Sequence, residues 1–277
     1  RNPPRDAMLS HATSEVGRGW GFGLHEALDQ SGAVLGPIIV SAVLFFNGTY
    51  RSSFAVLLIP ALIAISILVF ARILYPTPRD MEITSVEPAM TRGFPKVYWL
   101  YLAAVAFVAA GYADYPLIGY HFSKISLIPV DWIPVFYAVA MGVDAIAALI
   151  FGRLFDRIGL VVMIAAVILS SLFAPLVFLG GFGLALVGVV LWGIGMGAHE
   201  SIMRAAIANM VPANRRGTAY GVFNTGYGIF WFAGSALMGY LYDISIPSLV
   251  AFSVIVQLIS VPLLALVIRR GETAVQS

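Results

Sequence analysis

Long apolar runs, each followed by a short polar connector, cover almost the whole chain. A transmembrane helix requires about 20 predominantly apolar residues, and eight segments meet this requirement. The eight predicted spans cover residues 22–46, 54–75, 97–120, 132–152, 160–180, 184–209, 218–242 and 247–268. The first, sixth and seventh of them carry polar residues at one end. The pattern predicts an all-α protein that crosses a lipid bilayer about eight times.

The composition supports a membrane protein and excludes a water-soluble one. Of the 277 residues, 60% are hydrophobic and 11% are charged, whereas about 25% of the residues in a soluble domain are charged. The net charge is +2, but the basic residues are scattered between apolar runs, so we expect no nucleic-acid partner. The sequence has no cysteine, and its four histidines lie on separate segments. We therefore expect no metal site, no cofactor and no enzyme active site.

The positions of the basic residues predict the orientation in the membrane. If the even-numbered connectors face the cytoplasm, all of the 16 Lys and Arg residues except Arg51 and Lys124 lie on the cytoplasmic side. Cytoplasmic loops of membrane proteins carry such an excess of Lys and Arg. We therefore expect a multi-pass protein of the plasma (inner) membrane with a cytoplasmic C-terminus.

An internal repeat relates two parts of the chain. The run Arg18-Gly19-Trp20-Gly21-Phe22-Gly23 aligns with Arg216-Gly217-Thr218-Ala219-Tyr220-Gly221 at a shift of 198 residues, and the same shift places Gly36 on Gly234. With one residue of slippage, Arg5-Asp6-Ala7 also aligns with Arg204-Ala205-Ala206. The first and seventh spans are therefore predicted to be equivalent helices in two parallel halves, an arrangement found in transporters.

The repeat also predicts the organisation of the intact protein. Carried back by the same shift, the helix that starts near Val97 has its equivalent before residue 1. We therefore expect twelve helices in the intact protein, of which this chain lacks about the first four. The expected parts are a remainder of the N-terminal bundle (1–75, the end of the fourth helix with the fifth and sixth), a cytoplasmic linker (76–96), a complete six-helix C-terminal bundle (97–270) and a cytoplasmic tail (271–277).

Two motifs in the sequence resemble signatures of the major facilitator superfamily. The run Gly152-Arg153-Leu154-Phe155-Asp156-Arg157-Ile158-Gly159 resembles its cytoplasmic G-x-L-x-D-R-x-G motif. Glycines permit a tight turn there, while Asp156 and Arg157 can cap a helix end or pair with a neighbouring helix.

The second motif is formed by Gly23, Gly32 and Gly36-Pro37, and it resembles the antiporter signature of the same superfamily. The resemblance implies a major facilitator-like helical bundle and an exchange of substrate for protons. The alternative explanation of this motif is ordinary close packing of helices at small residues, with a bend at Pro37.

Carboxylates inside the predicted spans are candidates for substrate binding or proton coupling, because an acidic side chain within the bilayer is costly and is usually functional. Asp144 lies near the midplane of the fourth span. Its alternative role is a buried hydrogen-bond partner that joins two helices. Asp114 lies two residues before Pro116, where a broken helix could form a binding or gating point, or only a satisfied kink.

The sixth span carries a further acidic candidate. Glu200 lies one turn before Arg204, so the two side chains can form an internal pair. His199 lies on a different face of the helix, where it is a packed residue or part of a proton relay beside Glu200. On the first span, Asp29 shares a stripe with Gly32, and we expect it to pair with an arginine outside the chain.

One face of the seventh span combines aromatic side chains with an amide. Tyr220, Asn224, Tyr227 and Trp231 recur at spacings of four, three and four residues. Such a stripe can form the wall of a solute cavity, or it can face the membrane interface, where Tyr and Trp are common. No Arg or Lys occupies the middle of a predicted span, so neutral or cationic solutes, or protons, fit this sequence better than anions.

The leading functional hypothesis is a secondary active transporter, or permease, that moves a small organic solute by alternating access as a monomer. Proton-coupled efflux is favoured by the glycine motif. There are two alternatives: a proton-coupled uptake symporter, and a truncated membrane protein that does not transport. An ATP-driven pump is not expected, because the sequence contains no G-x-x-x-x-G-K-[ST] loop.

Overall fold

The computed structural model describes residues 2–46, 49–74, 93–129 and 132–276. Within these ranges the chain forms helices joined by short connectors, and it contains no β-strand. The helices are α1 (Asn2–Ala12), α2 (Arg18–Phe45), α3 (Tyr50–Leu74), α4 (Lys96–Gly111), α5 (Tyr115–Lys124), α6 (Ile133–Ile158), α7 (Val161–Ser171), α8 (Phe173–Leu179), α9 (Phe182–Met210), α10 (Arg216–Ile244) and α11 (Ile246–Gln276).

All eight predicted spans fall on helices. Six helical stretches of the described chain are long and apolar enough to cross a membrane: Arg51–Leu74, Lys96–Lys124, Ile133–Ile158, Val161–Leu179, Phe182–Met210 and Ile246–Arg270. The other two predicted spans correspond to α2 and α10, which have 28 and 29 residues and reach across a bilayer by length. Both α2 and α10 carry polar residues among their apolar ones. The all-α membrane fold is confirmed.

The contacts divide the chain into two compact units. One unit consists of residues 1–30 together with 93–277, and the other consists of residues 31–92. Most of the expected linker, 76–96, lies outside the described residues, so the division into two bundles at that linker stays a prediction.

Small residues allow α6 and α9 to approach each other closely. A β-carbon on Gly193 of α9 would stand 2.5 Å from the carbonyl oxygen of Ala140 on α6, and a β-carbon on Gly197 would collide with the carbonyl of Asp144. Close approach of backbones at small residues is the usual basis of helix packing in lipid, where apolar side chains gain little by leaving the acyl chains. This contact places Asp144 in the interior of the bundle.

The third predicted span is interrupted. It forms α4 and α5 with a break at Tyr112–Asp114, and Pro116 lies in the first turn of α5, where a missing N–H costs nothing. The Gly111 carbonyl at the end of α4 accepts hydrogen bonds from Ser253 Oγ (2.6 Å) and Gln257 Nε2 (3.1 Å) of α11. The broken backbone is thus satisfied by a neighbouring helix, as lipid requires.

Buried tyrosines join α4, α9 and α10 through their hydroxyl groups. Tyr98 Oη donates to the carbonyl of Ala219 (2.8 Å), and Tyr101 Oη donates to the carbonyl of Met203 (3.0 Å). Both tyrosine side chains are fully buried. Because a buried hydroxyl without a partner is costly, these bonds fix the relative positions of three helices around the candidate site.

We predict that Gly193→Val destabilises the protein by about 1–3 kcal/mol, the usual cost of forcing extra atoms into a packed core. The reason is the Ala140 carbonyl, which cannot move without displacing α6. Thermal unfolding of the purified protein in detergent measures the effect. The matched control is Gly183→Val on the same helix, where a β-carbon meets no other atom of the described chain within 4 Å. Equal loss of stability in the two variants would contradict this account of the α6–α9 contact.

Candidate functional site

The two arginine-glycine turns of the repeat lie at the same end of the helices. α2 begins at Arg18 and α10 begins at Arg216, the two residues that the repeat aligns. Arg18 Nη1 donates to Asn209 Oδ1 (2.5 Å), near the end of α9. Arg216 Nη1 donates to Ser10 Oγ (3.4 Å), near the end of α1. Each arginine therefore bonds to the helix that precedes the other arginine.

Asp156 in the G-x-L-x-D-R-x-G motif caps the first turn of α2. Its Oδ1 accepts a hydrogen bond from the backbone N–H of Gly19 (2.8 Å), and its Oδ2 accepts one from the N–H of Trp20 (2.7 Å). A carboxylate at a helix N-terminus satisfies N–H groups that have no partner within the helix and interacts favourably with the helix dipole. The Arg153 guanidinium stacks on the Trp20 ring, 3.9 Å from its centroid.

The glycines of the same motif permit this contact. A β-carbon on Gly152 would collide with the carbonyl of Gly19, and the reverse is also true. Gly159 ends α6 with φ of 69°, a conformation that favours glycine. Arg157 is exposed and lines a shallow cleft beside Trp20. The motif thus holds the ends of α6 and α2 together.

Asp144 lies fully buried on α6, and neither carboxyl oxygen has a hydrogen-bond partner among the described residues. Gly23 of α2 packs against the backbone of Ala148, one turn further along α6. Burying an ionised carboxylate without a partner is very costly, so such groups usually take up a proton instead. His199 is also buried, without a partner for either ring nitrogen within the described chain, and its ring meets Tyr112 edge-on at 4.8 Å.

A network of charges surrounds Arg204. Its Nη2 lies 2.5 Å from Glu200 Oε2, so the pair expected within α9 is present. Its Nη1 lies 3.5 Å from Glu26 Oε2 on α2, and its Nε lies 3.8 Å from Asp6 Oδ2 on α1. One guanidinium group therefore holds carboxylates from three helices. The side chains of Glu26 and Asp6 are 5% and 1% exposed; Arg204 is the ion-pair partner of Glu26, whereas Asp6 also pairs with Arg5 at 2.9 Å.

The sequence analysis missed Asp6 and Glu26 as site residues. A signal for Asp6 was present, because Arg5-Asp6 aligns with Arg204-Ala205 in the repeat. Arg5 Nη2 pairs with Asp6 Oδ1 at 2.9 Å, so the aligned arginines share a carboxylate. Glu26 accepts a hydrogen bond from Gln30 Nε2 (2.7 Å), one turn along α2. No spacing within α2 reveals that its partner is Arg204, 178 residues away.

An open cavity of about 550 Å³ lies beside the break between α4 and α5. Asp114 lies at the start of α5 and lines this cavity, and the indole N–H of Trp231 donates a hydrogen bond to Asp114 Oδ1. Of the four residues in the predicted stripe on α10, Trp231 lines the cavity. Tyr227 packs between Trp231 and Phe223, at centroid distances of 5.5 and 5.8 Å.

The other two members of the stripe have different surroundings. Tyr220 is fully buried, and its hydroxyl donates to the carbonyl of Arg204 (2.9 Å). Asn224 is half-buried, and its Nδ2 has no hydrogen-bond partner within the described residues. Asp29, on α2, is exposed within the described structure. Gly32, Gly36 and Pro37 belong to the other unit, so the roles expected for them stay predictions.

Residues 98–277 match the sequence profile of the Major Facilitator Superfamily. The chain belongs to the major facilitator superfamily. Uncharacterised proteins of Mycobacterium tuberculosis and Mycobacterium bovis are 37% identical to it over 266 residues, which cover 94% of this chain and 65% of each relative. A protein of Methanocaldococcus jannaschii named as an uncharacterised MFS-type transporter is 24% identical over 254 residues, covering 88% of this chain and 63% of that protein. This major facilitator chain thus spans less than two thirds of the length of these relatives.

We predict that Asp156→Ala in this major facilitator chain loosens the first turn of α2. The loss of a capping side chain costs about 1 kcal/mol. Hydrogen exchange at the amides of Gly19 and Trp20 measures the effect, and we expect faster exchange there than in the wild type. Asp243→Ala is the control, because this carboxylate is 74% exposed at the end of α10. Unchanged exchange at both amides in Asp156→Ala would show that the cap contributes nothing.

We predict that Arg204→Gln destabilises the protein by about 3–5 kcal/mol near neutral pH, because it leaves the buried Glu26 carboxylate without a cation. Acid neutralises the negative charge that the substitution leaves unpaired, so the loss of stability relative to the wild type becomes smaller as the pH is lowered. Thermal unfolding over a series of pH values measures this trend.

The control for this prediction is Arg51→Gln, since Arg51 is exposed and its removal leaves the network intact. If Arg204→Gln loses the same amount of stability relative to the wild type at every pH, the loss comes from packing rather than from an unpaired carboxylate.

Proposed function

We propose that the full-length protein is a secondary transporter that moves a small organic solute out of the cell in exchange for protons, by alternating access. Membership of the major facilitator superfamily supports a carrier rather than an enzyme. The name of the M. jannaschii relative, an MFS-type transporter, agrees with this. We also propose that the protein acts as a monomer in the plasma membrane with its C-terminus in the cytoplasm, as the distribution of Lys and Arg favours.

The observation that carries the proposal of proton coupling is the Asp144 carboxyl group. It is completely buried and has no hydrogen-bond partner among the described residues. An acidic group inside a membrane bundle marks an ion or proton pathway by default. A carboxyl group that lacks a fixed partner can bind and release a proton as its surroundings change, which a permanently ion-paired carboxylate does less readily.

The Arg204 network supports a change of conformation that accompanies proton movement. Asp6 and Glu26 come from α1 and α2, whereas Arg204 and Glu200 come from α9. Alternating access requires the two repeats to move relative to each other. In our proposal these ion pairs hold one end of the pathway closed, and protonation of a carboxylate weakens them and favours opening.

The Asp156 cap belongs to the same closed arrangement. It joins α6, in the C-terminal half, to the first turn of α2. When the helices separate, water can accept the hydrogen bonds of these N–H groups in place of Asp156. The cap can therefore break and form at a modest cost in free energy. The two contacts, at Asp156 and at Arg204, would therefore open together during transport.

We predict that Asp144→Asn abolishes solute movement driven by a proton gradient and leaves solute counterflow intact. An amide has the size of the carboxyl group but carries no exchangeable charge, so binding and conformational change can continue without proton movement. The assay uses the intact protein in vesicles, a panel of neutral, cationic and anionic organic solutes, and an ionophore that collapses the pH gradient.

Asp243→Asn is the control for this experiment, because Asp243 is an exposed carboxylate. Normal gradient-driven transport by Asp144→Asn would refute the coupling role of Asp144. Accumulation in the same direction as proton flow would identify an uptake symporter, and movement of no solute by the wild-type protein would refute transport itself.

A further inference from the structure

The cavity beside the break between α4 and α5 is lined by four aromatic rings. Tyr115 meets Tyr137 edge-on at a centroid distance of 4.7 Å and meets Trp192 at 5.8 Å, and Trp231 completes the set. The face of an aromatic ring carries partial negative charge and attracts cations. The thioethers of Met141 and Met196, which also line the cavity, are polarisable and adapt to the shape of a ligand.

Hydrogen bonds hold these rings in place without a ligand. Trp192 Nε1 donates to the carbonyl of Ala113 (2.9 Å), Tyr115 Oη donates to the carbonyl of Ile133 (3.0 Å), and Trp231 Nε1 donates to Asp114. Three of the four rings are therefore anchored at their polar ends and have less freedom to lose when a ligand binds. Such preorganisation raises affinity without additional contacts.

The charge of the cavity has one sign. Asp114 is the only charged residue in the lining of this cavity as the structure describes it, and a single amide, Gln30, is the other polar residue outside the aromatic set. The hydrogen bond from Trp231 fixes the Asp114 carboxylate next to the rings. A carboxylate beside aromatic rings, with no basic group in the lining, favours a positively charged ligand and disfavours an anion.

The size of the cavity suits a small molecule. A volume of about 550 Å³ lies within the range of sites that enclose drug-sized ligands. Flat rings in the wall suit a ligand that is itself flat or that carries its charge on a methylated nitrogen, because such a cation is weakly hydrated and loses little on leaving water.

We propose that this cavity binds a small aromatic organic cation through Asp114 and the rings of Tyr115, Tyr137, Trp192 and Trp231. The inference rests on the proposed transport function and specifies the chemical class of its solute.

The test compares three probes that share two linked rings and differ in charge. They are 1-methyl-4-phenylpyridinium (cation), 4-phenylpyridine (neutral in mildly alkaline buffer) and biphenyl-4-carboxylate (anion). Equilibrium binding to the intact protein in lipid nanodiscs is measured without a pH gradient or a membrane potential. We expect the cation to bind about tenfold more tightly than the neutral probe, the effect of about 1.4 kcal/mol, and the anion to bind most weakly. Equal affinity for all three probes, or preference for the anion, would overturn the proposal.

Two substitutions assign the binding to this cavity. Asp114→Asn should reduce affinity for the cation about tenfold and change affinity for the neutral probe little. Trp231→Leu should weaken the binding of both probes, because it removes a ring of the cavity wall and the N–H group that holds the Asp114 carboxylate. The controls on the same helix are Asp243→Asn and Tyr240→Leu, because Asp243 and Tyr240 are exposed outside the cavity, and both should bind like the wild type. Cation preference that survives Asp114→Asn would place the site elsewhere.

Tyr137→Leu keeps the test decisive if Asp114→Asn does not fold, as judged by size-exclusion chromatography. This variant leaves the Asp114–Trp231 bond intact and should lower cation affinity several-fold, whereas unchanged affinity would overturn the proposal.

The binding assay separates this proposal from that of proton-coupled transport. Failure of the cation to bind, with gradient-driven movement of another solute in the panel, would refute the cation site alone. Tight binding of the cation by a protein that moves no solute would refute transport and leave the cation site standing.

Discussion

A guanidinium group and its carboxylate partners must enter the helix bundle together or not at all, and this constraint shapes the structure around Arg204. Removing a charge from water costs several kcal/mol, which only close opposite charges can offset. Arg204 is held by Glu200 from its own helix and by Asp6 and Glu26 from α1 and α2. The positions of α1 and of the start of α2 against α9 therefore depend in part on one largely buried cation, beside the hydrogen bond of Arg18 to Asn209. The same dependence makes the contact sensitive to protons, because each carboxylate contributes only while it is charged.

The bilayer imposes a second constraint, which explains where the chain can be irregular. A helix can break inside a membrane protein only if neighbouring groups satisfy the exposed backbone. At the end of α4 this role falls to Ser253 and Gln257 of α11. The break brings Asp114 to the wall of a cavity, where Trp231 fixes its carboxylate. Ser253 and Gln257 do not line the cavity, but by satisfying the broken backbone they help to determine its shape.

The sequence predicts the helices well because apolar length and turn residues are local properties. The eight predicted spans coincide with helices, and the Glu200–Arg204 pair follows from a spacing of four residues. The sequence suggests a break in the third span around Asp114 and Pro116, and the break lies at Tyr112–Asp114, just before this proline, which is well tolerated in the first turn of the helix that follows. Other contacts join residues that are more than 100 positions apart. They are the ion pairs of Arg204 with Asp6 and Glu26 and the hydrogen bond from Trp231 to Asp114. Such contacts depend on how helices meet, which periodicity within one helix does not determine.

The exchanged bonds of Arg18 and Arg216 show how the two copies of the repeated segment meet. With the one-residue slippage of the repeat, Ser10 and Asn209 are equivalent positions, so Arg18 on Asn209 and Arg216 on Ser10 are the same contact made twice. Two equivalent contacts with reversed partners are typical of an isologous interface, which a two-fold homodimer forms. The junction between the two repeated segments therefore has the form of a dimer interface within a single chain, and because both sides belong to one chain, the two acceptors need not be the same group: one is a hydroxyl and the other an amide.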